Sequence, residues 1–82
     1  MQTNNEAVAT AIKRNILFGL LDKEISKNEA ATRAGIPSST FHRKLKNPEG
    51  FTLRELGQIA QALDRQLADI LPSELLTTRR AA

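Results

Sequence analysis

The residues best suited to chemistry lie in one short segment that follows Pro37. Residues 38–46 read SSTFHRKLK and carry hydroxyl, imidazole, guanidinium and ammonium groups, with no acidic side chain among them. At about 100° per residue, four of these side chains share one helical arc of roughly 100°. They are Ser39, His42, Arg43 and Lys46. Such a cationic helix face suits a polyanionic groove that displays acceptors, and an α-helix fits the DNA major groove.

Three residues of this segment are predicted to contact base edges. They are Ser39, His42 and Arg43. The forked guanidinium of Arg43 suits a two-pronged contact to guanine. For His42 the alternative is a passive surface histidine, and for Ser39 it is a residue that only caps the helix.

Other basic and hydroxyl side chains are predicted to contact DNA phosphates. They are Lys27, Ser38, Lys44 and Lys46. Lys13 and Arg14 are two further candidates, for which an ordinary solvated helix face is an equally good interpretation. Residues 26–46 hold five Lys and Arg against Glu29 alone, whereas the whole chain has 12 Lys+Arg, 9 Asp+Glu and a net charge of +3. Because the basic charge is concentrated at the predicted interface, binding should depend steeply on salt.

This segment must be positioned by a scaffold of helices, and the longest begins near the N-terminus. Apolar residues recur there at every fourth position, which keeps them on one helical face. They are Val8, Ile12, Ile16 and Leu20. We expect a first helix from Glu6 to Asp22, capped by Asn4 or Asn5.

The second helix is bounded by local chemistry. Ser26 and Glu29 form an S-x-x-E capping box, which predicts a helix that begins at Lys27. Gly35 can adopt the left-handed conformation that ends a helix, and Pro37 disfavours helical geometry at the residue before it. This helix is too short to be stable alone, so it must pack crosswise on its neighbours.

Capping residues also predict the boundaries of the third and fourth helices. Ser38 or Ser39 is predicted to cap the third helix, which ends near Lys46. Thr52 and Glu55 form a second capping box, which predicts the start of a fourth helix. The predicted apolar face of that helix consists of Leu53, Leu56, Ile59, Ala60 and Leu63.

These elements together define the expected fold and its extent. No β-branched or aromatic stretch alternates with polar residues over the length of a strand. The predicted fold is all-α, a compact five-helix bundle with a central helix-turn-helix. We expect the domain to span residues 6–76, between a flexible N-terminus of residues 1–5 and a flexible tail of residues 77–82.

The leucine-rich end of the chain has two open interpretations. The spacing of its apolar residues predicts a fifth short helix that Pro72 interrupts, with another turn over residues 73–76. The candidate dimer-interface residues are Leu67, Ile70, Leu71 and Leu75. Closing the monomer core is an equally good use for this segment. One recognition helix reads few base pairs, so specificity favours two copies on neighbouring half-sites, paired in solution or only on DNA.

Residues 26–63 resemble the lambda-repressor-like or XRE family, which includes phage Cro and immunity repressors. Ala31 and Gly35 stand at the alanine and glycine of the family's helix-turn-helix signature, and Ile36 stands at its turn hydrophobe. Phe41 stands at its valine or isoleucine position. The helix that begins near Thr52 is also similar to the helix that follows in the family.

Three positions depart from the family's pattern. Lys27 stands where the family often has a glutamine that contacts phosphate or braces the recognition helix. Pro37 occupies the usual position of the capping serine or threonine. Leu45 lies one residue later than the family's second inner hydrophobe.

The resemblance implies a phage or bacterial transcriptional regulator that occupies a double-stranded DNA operator. It would exclude RNA polymerase or a competing repressor. No cofactor, no small-molecule ligand and no separate effector domain are expected. The site of action would be the bacterial cytoplasm, on the nucleoid.

Composition weighs against other classes of function. The chain has no cysteine and one histidine, which argues against a metal site or a catalytic triad, and no nucleophile or phosphate-cradling motif points to an enzyme. RNA recognition usually needs exposed aromatic rings, and the three phenylalanines are all predicted to be buried. No secretory signal and no apolar run of the roughly 20 residues that a bilayer requires are present, so no membrane partner is expected. The main alternative is a protein-interaction module of the antitoxin type that uses the apolar C-terminal segment.

Overall fold

Helices make up all the regular structure in the part of the chain that the structure describes. The computed structural model describes residues 4–72, with side chains from residue 7 onward. The elements are α1 (Asn4–Lys23), α2 (Lys27–Ala34), α3 (Ser38–Lys46), a 3-10 turn (Pro48–Gly50), α4 (Leu53–Ala62) and α5 (Leu67–Ile70). The predicted all-α, five-helix fold is confirmed. The predicted turn over residues 73–76 and the predicted tail lie outside the described residues.

Helix α1 is the scaffold on which the other elements pack. Ile12, Ile16 and Leu20 are buried on one side and Val8 is half-buried, as the every-fourth spacing predicts. The helix begins at Asn4, so the two predicted asparagine caps lie inside its first turn, and it ends one residue later than expected. No helix within residues 4–72 combines the length and the apolar composition that crossing a membrane requires.

The turn between α2 and α3 has the expected chemistry. The Ser26 hydroxyl accepts the Glu29 amide at 3.0 Å, whereas the Glu29 carboxylate binds Arg33 rather than closing the capping box. Gly35 adopts φ 74°, and the Ile36 amide donates to the Ala31 carbonyl at 3.0 Å. Together with the bond from the Gly35 amide to Thr32, this makes a Schellman motif that ends α2 and turns the chain toward α3.

Helix α3 begins one residue earlier than a Ser38 cap requires. Pro37 is the N-cap residue, and its carbonyl accepts the Phe41 amide at 2.9 Å. Neither Ser38 nor Ser39 caps the helix, so that prediction is wrong. The proline ring fixes φ at −56° and its carbonyl supplies the first helical bond, so Ser38 is free to enter the helix.

Helix α4 has both bonds of its predicted capping box. The Thr52 hydroxyl accepts the Glu55 amide and a Glu55 carboxylate oxygen accepts the Thr52 amide, each at 3.0 Å. Leu53, which was predicted to join the apolar face, is instead 65% exposed. It is the first residue of the helix, and the buried residues begin one turn later at Leu56.

Helix α5 closes the core. Ile70 is fully buried, while Leu67 and Leu71 are partly buried against the core. The Asn15 side-chain amide also donates to the Ile70 carbonyl at 2.8 Å, which ties α5 to α1. Of the two interpretations of this segment, burial is therefore correct for Ile70, and an interface role is wrong for it. Leu75 lies outside the described residues.

Candidate nucleic-acid interface

The inner side of α3 fixes the helix in the molecule. Phe41 is fully buried and Leu45 is nearly so. The Phe41 ring packs against Phe51 with centroids 6.2 Å apart, and it forms a T-shaped pair with the His42 ring at the same centroid distance. Dense packing of two large side chains leaves the helix little freedom to rotate.

The outer side of α3 is open to solvent. The four residues of the predicted cationic face are all exposed. They are Ser39, His42, Arg43 and Lys46. A rigid helix with this face exposed can enter a groove without rearrangement of the core.

Backbone and side-chain bonds orient the start of this face. The His42 Nδ1 atom lies 2.8 Å from the Ser38 carbonyl oxygen. Because a carbonyl only accepts, Nδ1 carries the hydrogen, and in the neutral ring Nε2 is left as an outward acceptor. The Ser38 hydroxyl donates to the Asn28 side-chain oxygen at 2.6 Å, which links α3 to α2.

Comparison with known protein families agrees with this geometry. A family model of the Cro/C1-type helix-turn-helix DNA-binding domain matches residues 19–74, which is more than half of the chain. The chain belongs to this family. The predicted resemblance is therefore confirmed. No curated protein and no solved structure gives a significant match.

In this Cro/C1-type domain, one predicted contact residue of α3 has a partner inside the molecule. The Lys44 ammonium donates to both carboxylate oxygens of Glu55, at 2.9 and 3.0 Å, and both side chains are largely buried. The Thr52 amide and, after it, Lys44 hold the pKa of Glu55 below its usual value. Lys44 was predicted to contact phosphate, whereas the structure shows it fastening α3 to the start of α4.

Two other helices bring basic residues beside α3. Lys13 of α1 and Lys27 of α2 line one shallow cleft together with His42 and Lys46. Because these residues are far apart in sequence, their proximity could not be predicted; it follows from the packing of α1 and α2 around α3. The cleft extends the cationic face of α3 across three helices.

The structure places Lys13 and Arg14 differently. Lys13 lines the cleft and also the neighbouring depression formed with Leu17, Phe18 and Leu21, whereas Arg14 lines that depression but not the cleft. One residue along a helix is a rotation of about 100°, so neighbours in sequence face different surroundings.

One aromatic residue contradicts its prediction. Phe18 is 58% exposed, although all three phenylalanines were predicted to be buried. It lies roughly 160° around α1 from the fully buried Ile16. Phe41 and Phe51 are buried as expected.

Proposed function

We propose that this chain is a sequence-specific transcriptional regulator that places α3 in the major groove of a double-stranded DNA operator. The observation that carries the proposal is the exposed cationic face of α3, held in place by the buried Phe41 and Leu45. A helix of this size and charge fits the major groove, where all four base pairs are distinguishable. Occupancy of the operator would exclude RNA polymerase or a competing repressor.

Base edges would be read by Ser39, His42 and Arg43. Arg43 can donate two hydrogen bonds to the O6 and N7 atoms of guanine. With Nδ1 bonded to Ser38, neutral His42 offers Nε2 to an amino group of adenine or cytosine.

The DNA backbone would meet the cleft between α1, α2 and α3. Lys13, Lys27 and Lys46 line it and can neutralise phosphates on the strand beside the recognition helix. We assign Lys44 a positioning role through Glu55. Ser38 likewise has a positioning role, because its one hydroxyl hydrogen is already donated to the Asn28 side chain.

Two copies on half-sites about one helical turn apart would supply the specificity that a single recognition helix lacks. The regulator would act in the cytoplasm of a bacterial host, on the nucleoid. A duplex with two half-sites and a duplex with one should therefore differ in their affinity for the protein.

The test compares a duplex selected by the protein from random sequences with a scrambled duplex of the same composition. Arg43→Ala should weaken binding to the selected duplex about 10- to 100-fold and should reduce the preference over the scrambled one. The matched control is Arg33→Ala, which removes the same charge from an exposed side chain that pairs with Glu29 in its own helix. Fluorescence anisotropy at several salt concentrations measures both.

Two results would count against sequence-specific control. Equal affinity of the parent protein for both duplexes would remove the specificity claim. If Arg43→Ala instead weakens both duplexes equally, Arg43 contacts the backbone and base reading belongs to other residues.

A further inference from the structure

The outward side of α1 carries an apolar patch, formed by Leu17, Phe18 and Leu21. These side chains are 37%, 58% and 73% exposed, and within the described residues only Leu53 joins them among exposed large hydrophobics. At about 100° per residue they share an arc of roughly 100° on the side away from Ile16. Contiguous apolar surface of this kind marks interaction sites in soluble proteins.

Shallow depressions flank the patch on both sides. One is lined by Thr10, Lys13 and Arg14 with the three patch residues. The other continues past Leu17 and Leu21 to Ile25, which lies in the segment between α1 and α2. The surface therefore offers both a ridge and grooves, which is what a second helix needs in order to pack.

Charges around the patch are divided along the helix axis. Lys13 and Arg14 precede it, whereas Asp22 and Glu24 follow it. Arg14 and Asp22 lie four residues before and after Phe18, about 6 Å along the axis in each direction. An antiparallel copy of the same helix would therefore set each Arg14 against the partner's Asp22.

Asp22 is able to take part in such a pair. Its side chain is 75% exposed, although one oxygen accepts Arg65 at 3.3 Å. Lys23 does not interfere, because it is already paired with Asp64. An acidic partner of another kind would match Lys13 and Arg14 but would meet Asp22 and Glu24 with like charge.

We propose that two copies of this chain pair through the α1 apolar patch, with the two α1 helices antiparallel and the twofold axis near Phe18. Leu17 lines both the patch and the lysine cleft, so the pairing surface borders the predicted DNA-facing side. Pairing itself needs no DNA, whereas its use on an operator rests on the proposed function. The patch lies mostly before residue 19, where the family match begins.

Sedimentation equilibrium of the full chain without DNA tests the pairing. The parent protein should form a dimer, and Leu21→Glu should raise its dissociation constant at least about tenfold, since each interface then buries two unpaired carboxylates. Leu53→Glu is the matched control, because it changes a leucine of similar exposure outside the patch and should leave the dimer unchanged. Far-ultraviolet circular dichroism should show equal helicity for all three proteins.

Charge exchange tests the antiparallel arrangement. Arg14→Asp should weaken the dimer by several-fold, and Arg14→Asp combined with Asp22→Arg should restore most of the loss. If the dimer is weakened by Arg14→Asp and the combination with Asp22→Arg does not restore it, the antiparallel register is wrong.

Two outcomes would overturn the pairing surface. They are a parent that stays monomeric and a dimer that Leu21→Glu leaves intact. In the second case, loss of the dimer in Leu75→Glu would transfer the contact to residues 73–82. Anisotropy on a duplex with one half-site tests DNA binding separately, where Leu21→Glu should stay within about twofold of the parent. If the parent protein forms a dimer but binds no duplex, the proposed function is wrong and the pairing surface still stands.

Discussion

Helices α1 and α3 both bury one side and expose the other, but their exposed sides differ in kind. Helix α3 exposes hydroxyl, imidazole and cationic groups, whereas α1 exposes Leu17, Phe18 and Leu21. The buried sides are alike, with large apolar residues in one core. Burial therefore explains how each helix is attached, and the residue types on the outer side indicate what each helix meets.

Two phenylalanines give the sharpest form of this comparison. Phe41 is fully buried on the inner side of α3, and Phe18 is 58% exposed on the outer side of α1. Phe41→Ala should lower the free energy of unfolding by about 3–5 kcal/mol, because it leaves a cavity in the core. Phe18→Ala should change it by less than about 1 kcal/mol and should instead weaken pairing. Urea denaturation of both variants at low concentration measures the difference.

Equal losses in the two variants would contradict the comparison. They would mean that Phe18 is covered within a single copy, so that the α1 apolar patch would not be available for a partner. Because a domain of this size is only marginally stable, Phe41→Ala could also abolish folding. Loss of helicity in that variant and not in Phe18→Ala would support the same conclusion.

Local chemistry explains which parts of the fold were predictable from the sequence. The Thr52 capping box and the left-handed Gly35 each depend on residues a few positions apart, and the structure has both. The two-faced pattern of α3 was also sufficient to separate Phe41 from its exposed cationic face. Such features are decided within one or two helical turns.

Long-range packing explains what the sequence could not show. The pair between Lys44 and Glu55 joins two helices, and each residue already had a local interpretation. Phe18 was assigned to the core because it is apolar, yet α1 is apolar around much of its circumference and only its neighbours decide which side is covered. The apolar spacing of α5 fitted burial and pairing equally well until the position of Ile70 was known.

Two glycines test how closely the inner side of α1 is packed. A Cβ at Gly19 would lie 2.7 Å from the Leu63 Cδ1 atom, and Leu63 is itself buried, whereas a Cβ at Gly57 would meet nothing within 4 Å. Gly57→Ala should raise the free energy of unfolding by about 1 kcal/mol through helix propensity. Gly19→Ala has the same gain but adds overpacking, so it should be about 1–3 kcal/mol less stable than Gly57→Ala. Urea denaturation decides, and equal stabilities would show that Leu63 can move aside.

The smallest expected effect is a difference between Lys13 and Arg14, which lie between the lysine cleft and the α1 apolar patch. Lys13 lines both the cleft beside His42 and Lys46 and the depression at the α1 apolar patch, whereas Arg14 lines the depression but not the cleft. On a duplex with a single half-site, Lys13→Ala should make the slope of log affinity against log salt shallower by about 0.9, or about three- to fourfold in affinity over a fourfold range of salt. Arg14→Ala should leave the slope unchanged, because Arg14 does not line the cleft that we propose meets phosphate. If both variants change the slope equally, the outward side of α1 faces DNA as a whole, and the apolar patch would be the rim of the DNA interface instead of a pairing surface.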